Sequence, residues 1–307
     1  ADWAIACDFA RRLGKRLGRG DADRLFGWPD AEAVFDEHRA TTVGRDLDIG
    51  GLDYATLERD GPQQWPYPAG ASSGRARLYE DGRFPTPSGR ARFVETPFAP
   101  TAEATDDRRP LNLLSGRLRD QWHSMSRTGR VPSLFRHEAE PLVTMHPDDM
   151  ASRGIGDGAH VRLSSARGSM TLRARRGEDM RAGDVFVPMH WGSRWMRGEG
   201  VNALTSRAVD PVSFQPELKH AAVEVSAVDL PHSLVAMGVL PDVDLALEAL
   251  APLLDRFDCA SCGLAGRDYP VTMWRAASAS PIPASLVAAV DAVFRLDGGR
   301  ATLAYED

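Results

Sequence analysis

The sequence predicts an α+β protein built around a compact, closed β-barrel. Residues 141–225 contain short runs of alternating apolar and polar residues, with one short helical segment among them. Strands this short would leave exposed edges in an open sheet, so the pattern favours a sheet that closes on itself. Amphipathic segments before and after this region predict helices on both sides of the barrel along the chain.

The strands of the barrel can be assigned in order. The first is the apolar run Leu111–Leu114. Residues 141–151 predict a strand and then a helix that begins at a proline, has acidic residues in its first turn and stops at Gly154. His146 lies just before that helix, and we favour a capping role because no second His or Cys lies at metal-ligand spacing. The remaining predicted strands are residues 157–165, 168–174, 185–188 and 221–225.

The residues before the barrel predict helices and turns. Asp2–Gly14 carries apolar side chains at helical spacing and ends at a glycine, and a second short helix is predicted after Pro29. Residues 82–93 predict turns around two short extended pieces. Glu95–Pro110 has the Thr-, Pro- and acid-rich composition of an exposed linker, so we place a domain boundary near residue 106.

After the barrel, residues 231–240, 243–254, 259–267 and 282–294 suggest a small α+β appendage, in which 243–254 and 282–294 are predicted helices. Cys259 and Cys262 have the spacing of metal and redox motifs, but a tetrahedral metal site needs a second pair and the only other thiol is Cys7. The sequence therefore favours two partly buried thiols at a turn before Gly263. So few cysteines fit a reducing cytoplasm.

Composition limits the function classes. The net charge of -6 disfavours a general nucleic-acid binder, and arginine far outnumbers lysine, which suits local phosphate recognition. No run of apolar residues is long enough to cross a membrane. We therefore expect neither a nucleic-acid nor a membrane partner.

A dense polar stretch follows the first strand. Gly116 lets the backbone turn and approach a ligand closely. The stretch then brings together guanidinium groups, flat rings and hydroxyls, from Arg117, Arg119, Trp122, His123, Ser124, Ser126, Arg127, Thr128 and Arg130. Guanidinium groups bind phosphate oxygens through two hydrogen bonds and stack on rings, so a ligand with a diphosphate and a flat heterocycle would suit this stretch. A solvated basic loop is the alternative that composition leaves open.

This stretch resembles the C-terminal cofactor-binding domain of the molybdopterin oxidoreductases, and in particular their assimilatory nitrate reductase branch. Ser115-Gly116-Arg117, the Trp122-His123 pair and the arginines up to Arg130 carry the resemblance, and residues 185–191, 201–205 and 210–219 match in order. The resemblance implies a six-stranded double-psi barrel at residues 107–227 that binds one molybdopterin guanine dinucleotide. It also implies that residues 1–106 end the middle α/β domains and that residues 228–307 form a C-terminal α+β extension.

The resemblance also assigns roles residue by residue. It implies cofactor contacts for Ser115, Gly116, Arg117, Leu118, Arg119, Asp120, Gln121, Trp122, His123, Thr128, Arg130, Asn202 and Lys219. It places Met189 toward the substrate channel. Asn202 offers a donor and an acceptor to a pterin edge, and Lys219 offers a charge. In the alternative without a ligand, Asn202 caps a helix or turn and Lys219 is a solvated charge.

The segment Gly61–Pro66 resembles one near the family's substrate funnel. Trp65, between Gln64 and Pro66, is predicted to anchor an irregular loop by packing rather than to contact substrate.

The implied function is nitrate reduction to nitrite on molybdenum held by two pterin dinucleotides. Electrons would come from a donor protein or reductase subunit through a 4Fe-4S cluster in an N-terminal part. We assign no catalytic residue and no metal ligand here, and expect these residues to be the C-terminal part of a larger cytoplasmic reductase, inactive alone. There are two alternatives: a formate dehydrogenase, and a non-catalytic barrel that binds a nucleotide-like ligand.

Overall fold

A computed structural model describes residues 1–266 and 269–306, and its contacts divide the chain into two compact units, one formed by residues 1–98 and the other starting at Ala99. The first unit is helical. Its helices are α1 (Asp2–Arg16), α2 (Ala22–Leu25), α3 (Ala31–Thr42) and α4 (Tyr54–Asp60). The predicted helices at its start and after Pro29 are confirmed. The predicted domain boundary near residue 106 falls within the second unit and stays a prediction.

One prediction for the first unit is confirmed in part and one is wrong. Residues 82–93 contain the predicted turns, since the Phe84 N–H donates to the Gly89 carbonyl at 3.0 Å. None of residues 1–98, all of which the structure describes, lies in a strand, so the extended pieces join no sheet. Trp65 does not anchor its loop by packing, since it is 54% exposed; Tyr67 is the buried aromatic there.

The second unit begins with the barrel. Its strands are β1 (Leu111–Gly116), β2 (Leu142–Met145), β3 (His160–Ser164), β4 (Ser169–Arg176), β5 (Asp184–Pro188) and β6 (Ala221–Ala227), with helix α5 (Pro147–Ser152) after β2. They close in the order β1-β5-β2-β4-β3-β6. The pairs β1–β5 and β2–β4 are parallel and the others antiparallel. This confirms the predicted six-stranded double-psi barrel.

Side chains at alternate strand positions fill the barrel interior. Along β1, β3 and β5, every second side chain is almost completely buried, including Leu113, Val161, Leu163, Val185 and Val187. The predicted capping role of His146 is also confirmed, because its Nδ1 accepts the Asp148 N–H at the start of α5, at 3.1 Å.

Glu103, in the segment predicted to be an exposed linker, is tied to the barrel. Both carboxylate oxygens contact the Arg167 guanidinium, at 3.1 and 2.7 Å, and one also accepts the N–H of Ala222 at 3.1 Å. The hydrogen bond from Arg167 is the main reason that the pKa of Glu103 lies below its usual value. This carboxylate therefore joins the chain ahead of β1 to the β3–β4 turn and to β6.

We expect Glu103→Gln to lower the free energy of unfolding at pH 7 by about 1 kcal/mol, since hydrogen bonds to a charged group are lost. Because the folded-state pKa is lowered, the carboxylate stabilises the fold above its ordinary pKa near 4.5 and loses this effect as pH falls through the folded value. Urea unfolding should therefore show a smaller difference between variant and parent at pH 3.5 than at pH 7. An equal difference at both values would contradict this role.

The chain ends in a second, open sheet with two helices. Its elements are β7 (His232–Val239), α6 (Val243–Leu254), β8 (Cys259–Ala265), β9 (Val271–Ser278), α7 (Ala284–Phe294) and β10 (Arg300–Glu306). The antiparallel order β10-β7-β9-β8 in a β-α-β-β-α-β chain is the ferredoxin-like arrangement. The predicted helices and α+β character are confirmed, whereas β9 and β10 were not predicted.

Cys259 and Cys262 lie inside β8, not at a turn, which corrects the prediction for this segment; Arg267, at the end of the predicted segment, lies outside the described residues. Gly263 allows the chain at Ala139 to approach β8 closely, because a Cβ at this position would lie 2.9 Å from the Ala139 carbonyl oxygen. The two thiols point to different neighbours: Cys259 Sγ is 3.5 Å from the Thr171 carbonyl and Cys262 Sγ is 3.6 Å from that of Arg194. Burial raises the pKa of each to about 12, so both stay protonated.

Within the described part of the chain, no helix combines the length and apolar composition needed to span a bilayer.

Candidate functional site

Two loops leave the barrel side by side. Because β1 and β5 run parallel, with Gly116 opposite Pro188, the segments after them start at the same end of the barrel. The Met189 N–H donates to the Gly116 carbonyl at 2.9 Å and joins the two starts. A Cβ on Gly116 would lie 3.1 Å from the Phe186 ring, so glycine lets the strands end in close contact. Met189 is 42% exposed at this junction.

The loop after β1 presents a guanidinium and two rings. The Arg117 guanidinium lies 5.0 Å from the centre of the Trp122 ring, a cation–π arrangement. Trp122 in turn stacks on His123, with ring centres 5.5 Å apart and planes 6° apart. Trp122 is 54% exposed. The loop thus holds a flat aromatic surface beside a cation where a planar ligand could stack.

The backbone of this loop is strained. His123, Ser124 and Met125 have φ of 46°, 49° and 62°, a conformation that residues other than glycine rarely adopt. Such strain costs about 1–3 kcal/mol per residue and concentrates at functional sites. Met125, 1% exposed, holds the turn in place by packing.

Gln121 and Thr128 hold the loop together. The Thr128 hydroxyl donates to Gln121 Oε1 at 2.6 Å and accepts the N–H of Trp122 at 3.1 Å. Gln121 Nε2 donates to the Leu134 carbonyl at 3.1 Å, and the residue is 1% exposed. These hydrogen bonds give both side chains a structural role, and their predicted contact with a cofactor stays a prediction.

The charges in the loop divide into paired and unpaired groups. Arg119 forms an ion pair with Asp120 at 3.0 Å, which lowers the pKa of Asp120. Arg130 is paired with Asp244 of α6 at 2.7 Å. In contrast, Arg117 and Arg127 are exposed and have no ion-pair partner among the residues that the structure describes. These two guanidinium groups are the ones free to bind an anion.

His190, which sequence reasoning did not single out, connects the two loops. Its Nε2 accepts the N–H of Leu118 at 2.9 Å, and the side chain is 1% exposed. Burial, followed by the nearby charge of Arg117, lowers the pKa of His190, so the ring is neutral at pH 7 and can accept this bond. Its Nδ1, and Nε1 of the adjacent Trp191, are buried without a hydrogen-bond partner in the described part of the chain. Its position directly after a strand, between Met189 and Trp191, was the available sequence signal.

The structure brings the segment before Lys219 to the end of β1, because the Ser115 hydroxyl donates to the Leu218 carbonyl at 2.7 Å. Lys219 itself is exposed and has no ion-pair partner in residues 1–266 and 269–306. Asn202 lies within a short 3-10 helix, Gly200–Ala203, and is also exposed. Gly200 packs this helix on the Trp191 carbonyl, and the Ala203 carbonyl lies close to Gly168. The roles predicted for Asn202, Lys219 and Met189 stay predictions.

No group of three or more His, Cys, Asp and Glu side chains among the described residues is arranged to hold a metal ion.

Comparison with known proteins identifies relatives. Residues 111–222 match the family described as "Molydopterin dinucleotide binding domain". The chain is 37% identical over 238 residues to a nitrate reductase from Klebsiella oxytoca, covering 74% of this chain and 26% of that protein. It is 33% identical over 227 residues to the assimilatory nitrate reductase catalytic subunit of Bacillus subtilis, covering 73% and 30%. It is 32% identical over 227 residues to the F420-dependent formate dehydrogenase subunit alpha of Methanocaldococcus jannaschii, covering 74% and 31%.

The chain therefore spans about 26–31% of the length of these relatives. Among solved structures, acetylene hydratase from Pelobacter acetylenicus matches with a TM-score of 0.46 and 16% identity, over 71% of this chain and 32% of that one. The match over residues 111–222 and the identities to these relatives show that the chain belongs to the molybdopterin oxidoreductases and contains their dinucleotide binding domain.

Proposed function

We propose that this chain holds one molybdopterin guanine dinucleotide of a molybdenum-dependent nitrate reductase. The observation that carries the proposal is the loop after β1. Its Arg117 and Arg127 have no ion-pair partner among the described residues, and they lie in sequence on either side of the exposed Trp122 ring and the strained turn from His123 to Met125. Unpaired cations suit a diphosphate, and an exposed ring suits a flat base.

The residues present fit such a cofactor. Arg117, Arg127 and Lys219 offer positive charge to phosphate oxygens, and Trp122 offers its face to a heterocycle. The buried donors without partners on His190 and Trp191, beside the start of the loop, also indicate a polar group that this part of the fold is built to meet. Asn202 can donate to and accept from a pterin edge.

When bound, the molybdenum cofactor supplies the redox chemistry by which nitrate loses an oxygen atom. The residues of this chain would bind and orient it: Ser115 to Arg130 would hold its dinucleotide, Asn202 would contact a pterin edge, and Lys219 would offer its charge to a phosphate. Met189 lines the path of the substrate. In the whole enzyme, we expect an iron-sulfur cluster to pass on electrons from a donor protein in the cytoplasm.

Relatives that are 37% and 33% identical are nitrate reductases, so we propose nitrate as the substrate, and a formate dehydrogenase, to which the chain is 32% identical, is the alternative. The test uses the full-length protein that contains this chain. We expect nitrate to oxidise reduced viologen in its presence, and formate not to reduce oxidised viologen. The reverse result would identify a formate dehydrogenase. If protein loaded with molybdenum shows neither activity, a non-catalytic barrel is favoured.

Asp244 offers a test of the anion site without the loaded cofactor. Its carboxylate bridges Arg130 at 2.7 Å and Arg194 at 2.8 Å, and so competes with any phosphate for both guanidinium groups. We expect Asp244→Asn to tighten binding of inorganic pyrophosphate by roughly twofold to fivefold, because exposed ion pairs contribute at most about 1 kcal/mol. Titration calorimetry at low salt measures the change, with Asp291→Asn, which breaks an ion pair to Arg295, as the control. Weaker binding by the Asp244 variant would contradict a phosphate role for these arginines.

A further inference from the structure

A cavity of about 330 Å³ lies between the barrel and the C-terminal sheet. It shares no residue with the loop after β1, so a ligand in this cavity would be independent of the proposed function. Its volume is at the lower end of the roughly 300–1,000 Å³ that small-molecule sites occupy, and such sites are common where two packed layers meet.

One wall is a single face of the C-terminal sheet. On the central strand β9, Arg275 pairs with Val235 of β7 on one side and Ser261 of β8 on the other. Two residues further on, Ala277 pairs in the same way with Ser233 and Cys259. Directly paired residues and every second residue along a strand share a face, so these six side chains form one surface, and all six line the cavity.

The barrel forms the opposite wall. Arg173 of β4 pairs with His160 of β3, and both line the cavity with Glu140, Thr171 and Leu172. The charge of Arg173 is already used, because its Nη1 contacts Glu140 Oε1 at 3.2 Å and its Nε donates to the Gly158 carbonyl at 3.1 Å. Burial, reinforced by Arg173, lowers the pKa of His160, so this wall adds no further charge at neutral pH.

Arg275 is the cavity charge that no described residue balances. Its side chain is partly buried on the central strand, and it has no ion pair among the residues that the structure describes. Holding a guanidinium in such a place without a partner is costly unless an anion joins it. The hydroxyls of Ser233 and Ser261 also make no hydrogen bond within the described residues, and Ser261 is only 8% exposed. One cation and two hydroxyl donors therefore face a partly apolar space.

We propose that this cavity binds a small organic monocarboxylate. The carboxylate accepts two hydrogen bonds from Arg275 and one or more from Ser233 and Ser261, and the body of the molecule packs on Val235, Leu172 and Ala277. A guanidinium matches a carboxylate in shape as well as charge. A monoanion fits because, among the described residues that line the cavity, Arg275 alone is uncompensated; the charges of Arg173 and Glu140 cancel.

The test uses 4-fluorobenzoate as the probe and the full chain, followed by fluorine NMR. We expect saturable binding in the low millimolar range, and binding of the uncharged 4-fluorobenzamide about tenfold weaker, since the amide cannot pair with Arg275. This comparison needs no variant. Absence of saturable benzoate binding, or equal binding of the two probes, would overturn the proposal.

Variants then locate the site. Arg275→Gln removes the charge and should weaken benzoate binding about tenfold. Ala277→Leu fills the cavity and should reduce binding while leaving Arg275 in place. Arg181→Gln, an exposed arginine outside the cavity, is the matched control for loss of one charge. Circular dichroism checks that each variant is folded. Unchanged binding by folded Arg275→Gln, or an equal loss with Arg181→Gln, would show that the probe binds elsewhere.

Discussion

Arg117→Ala in the full-length enzyme should weaken binding of the dinucleotide about tenfold or more, and so lower the guanine nucleotide released per protein on acid treatment after purification and dialysis. The reason is that this guanidinium is exposed, has no ion pair in the described part of the chain, and lies 5.0 Å from the Trp122 ring. A hydrogen bond to a charged group contributes about 1.5–3 kcal/mol, which is about 10- to 100-fold in a dissociation constant. Nitrate-dependent viologen oxidation should fall with the nucleotide content.

Two control variants distinguish the loss of a phosphate contact at Arg117 from the general effect of removing one positive charge. Arg181→Ala removes an exposed arginine far along the chain from the loop, and should leave nucleotide content unchanged. Arg119→Ala removes an arginine of the same loop whose charge is already paired with Asp120 at 3.0 Å, so its effect should be the smaller of the two loop variants. Unchanged content and activity in Arg117→Ala would reject a phosphate-binding role for this residue.

The barrel could be predicted because its strands are local patterns. Alternating residues such as Val161 and Leu163 mark buried faces, and a glycine or proline lies within two residues of most strand ends. The loop after β1 was predicted by composition and resemblance together. Its strained turn at His123 to Met125 could not be predicted, because no glycine marks that backbone conformation.

Long-range pairings account for most of what sequence reasoning missed. His190 contacts Leu118 across 72 positions, and Glu103 contacts Arg167 across 64, so no local pattern shows either bond. The strand β9 is nearly continuous in buried residues and lacks the alternation used to find the others. The small residues around Cys259 resemble a turn, although one of them, Gly263, is small because a Cβ there would lie 2.9 Å from the Ala139 carbonyl oxygen.

Long-range contacts also limit what the sequence can predict about the site residues. The resemblance implies cofactor contacts for Gln121 and Thr128, and in the structure their polar atoms form hydrogen bonds that close the loop. Sequence shows which groups are present near a site, and only the fold shows which remain free to bind. For this reason, the proposed function depends more on Arg117, which has no ion-pair partner among the described residues, than on Arg119, which is paired with Asp120.

His190→Phe should lower the free energy of unfolding by about 2 kcal/mol and reduce the nucleotide content of the full-length enzyme. The substitution keeps a ring in the buried space but removes the acceptor for the Leu118 N–H, now 2.9 Å from Nε2, and a buried donor without a partner costs about 1–3 kcal/mol. Since Leu118 follows Arg117, a loosened backbone there also misplaces the guanidinium. His190→Gln keeps an acceptor and should restore part of both losses.

The pH dependence tests the same bond. The pKa of folded His190 is lowered, so its neutral form stabilises the fold fully above the ordinary value near 6.5, and this effect is lost as pH falls below 6.5 through the folded value. Urea unfolding at pH 7.5 and 5.5 should show a larger loss of stability on acidification for the parent than for His190→Phe. His160→Phe is the control, because the pKa of His160 is also lowered by burial but no N–H of the loop donates to it. That variant should flatten the pH dependence too, yet leave nucleotide content unchanged; a loss of nucleotide equal to that of His190→Phe would mean that His190 acts only through overall stability.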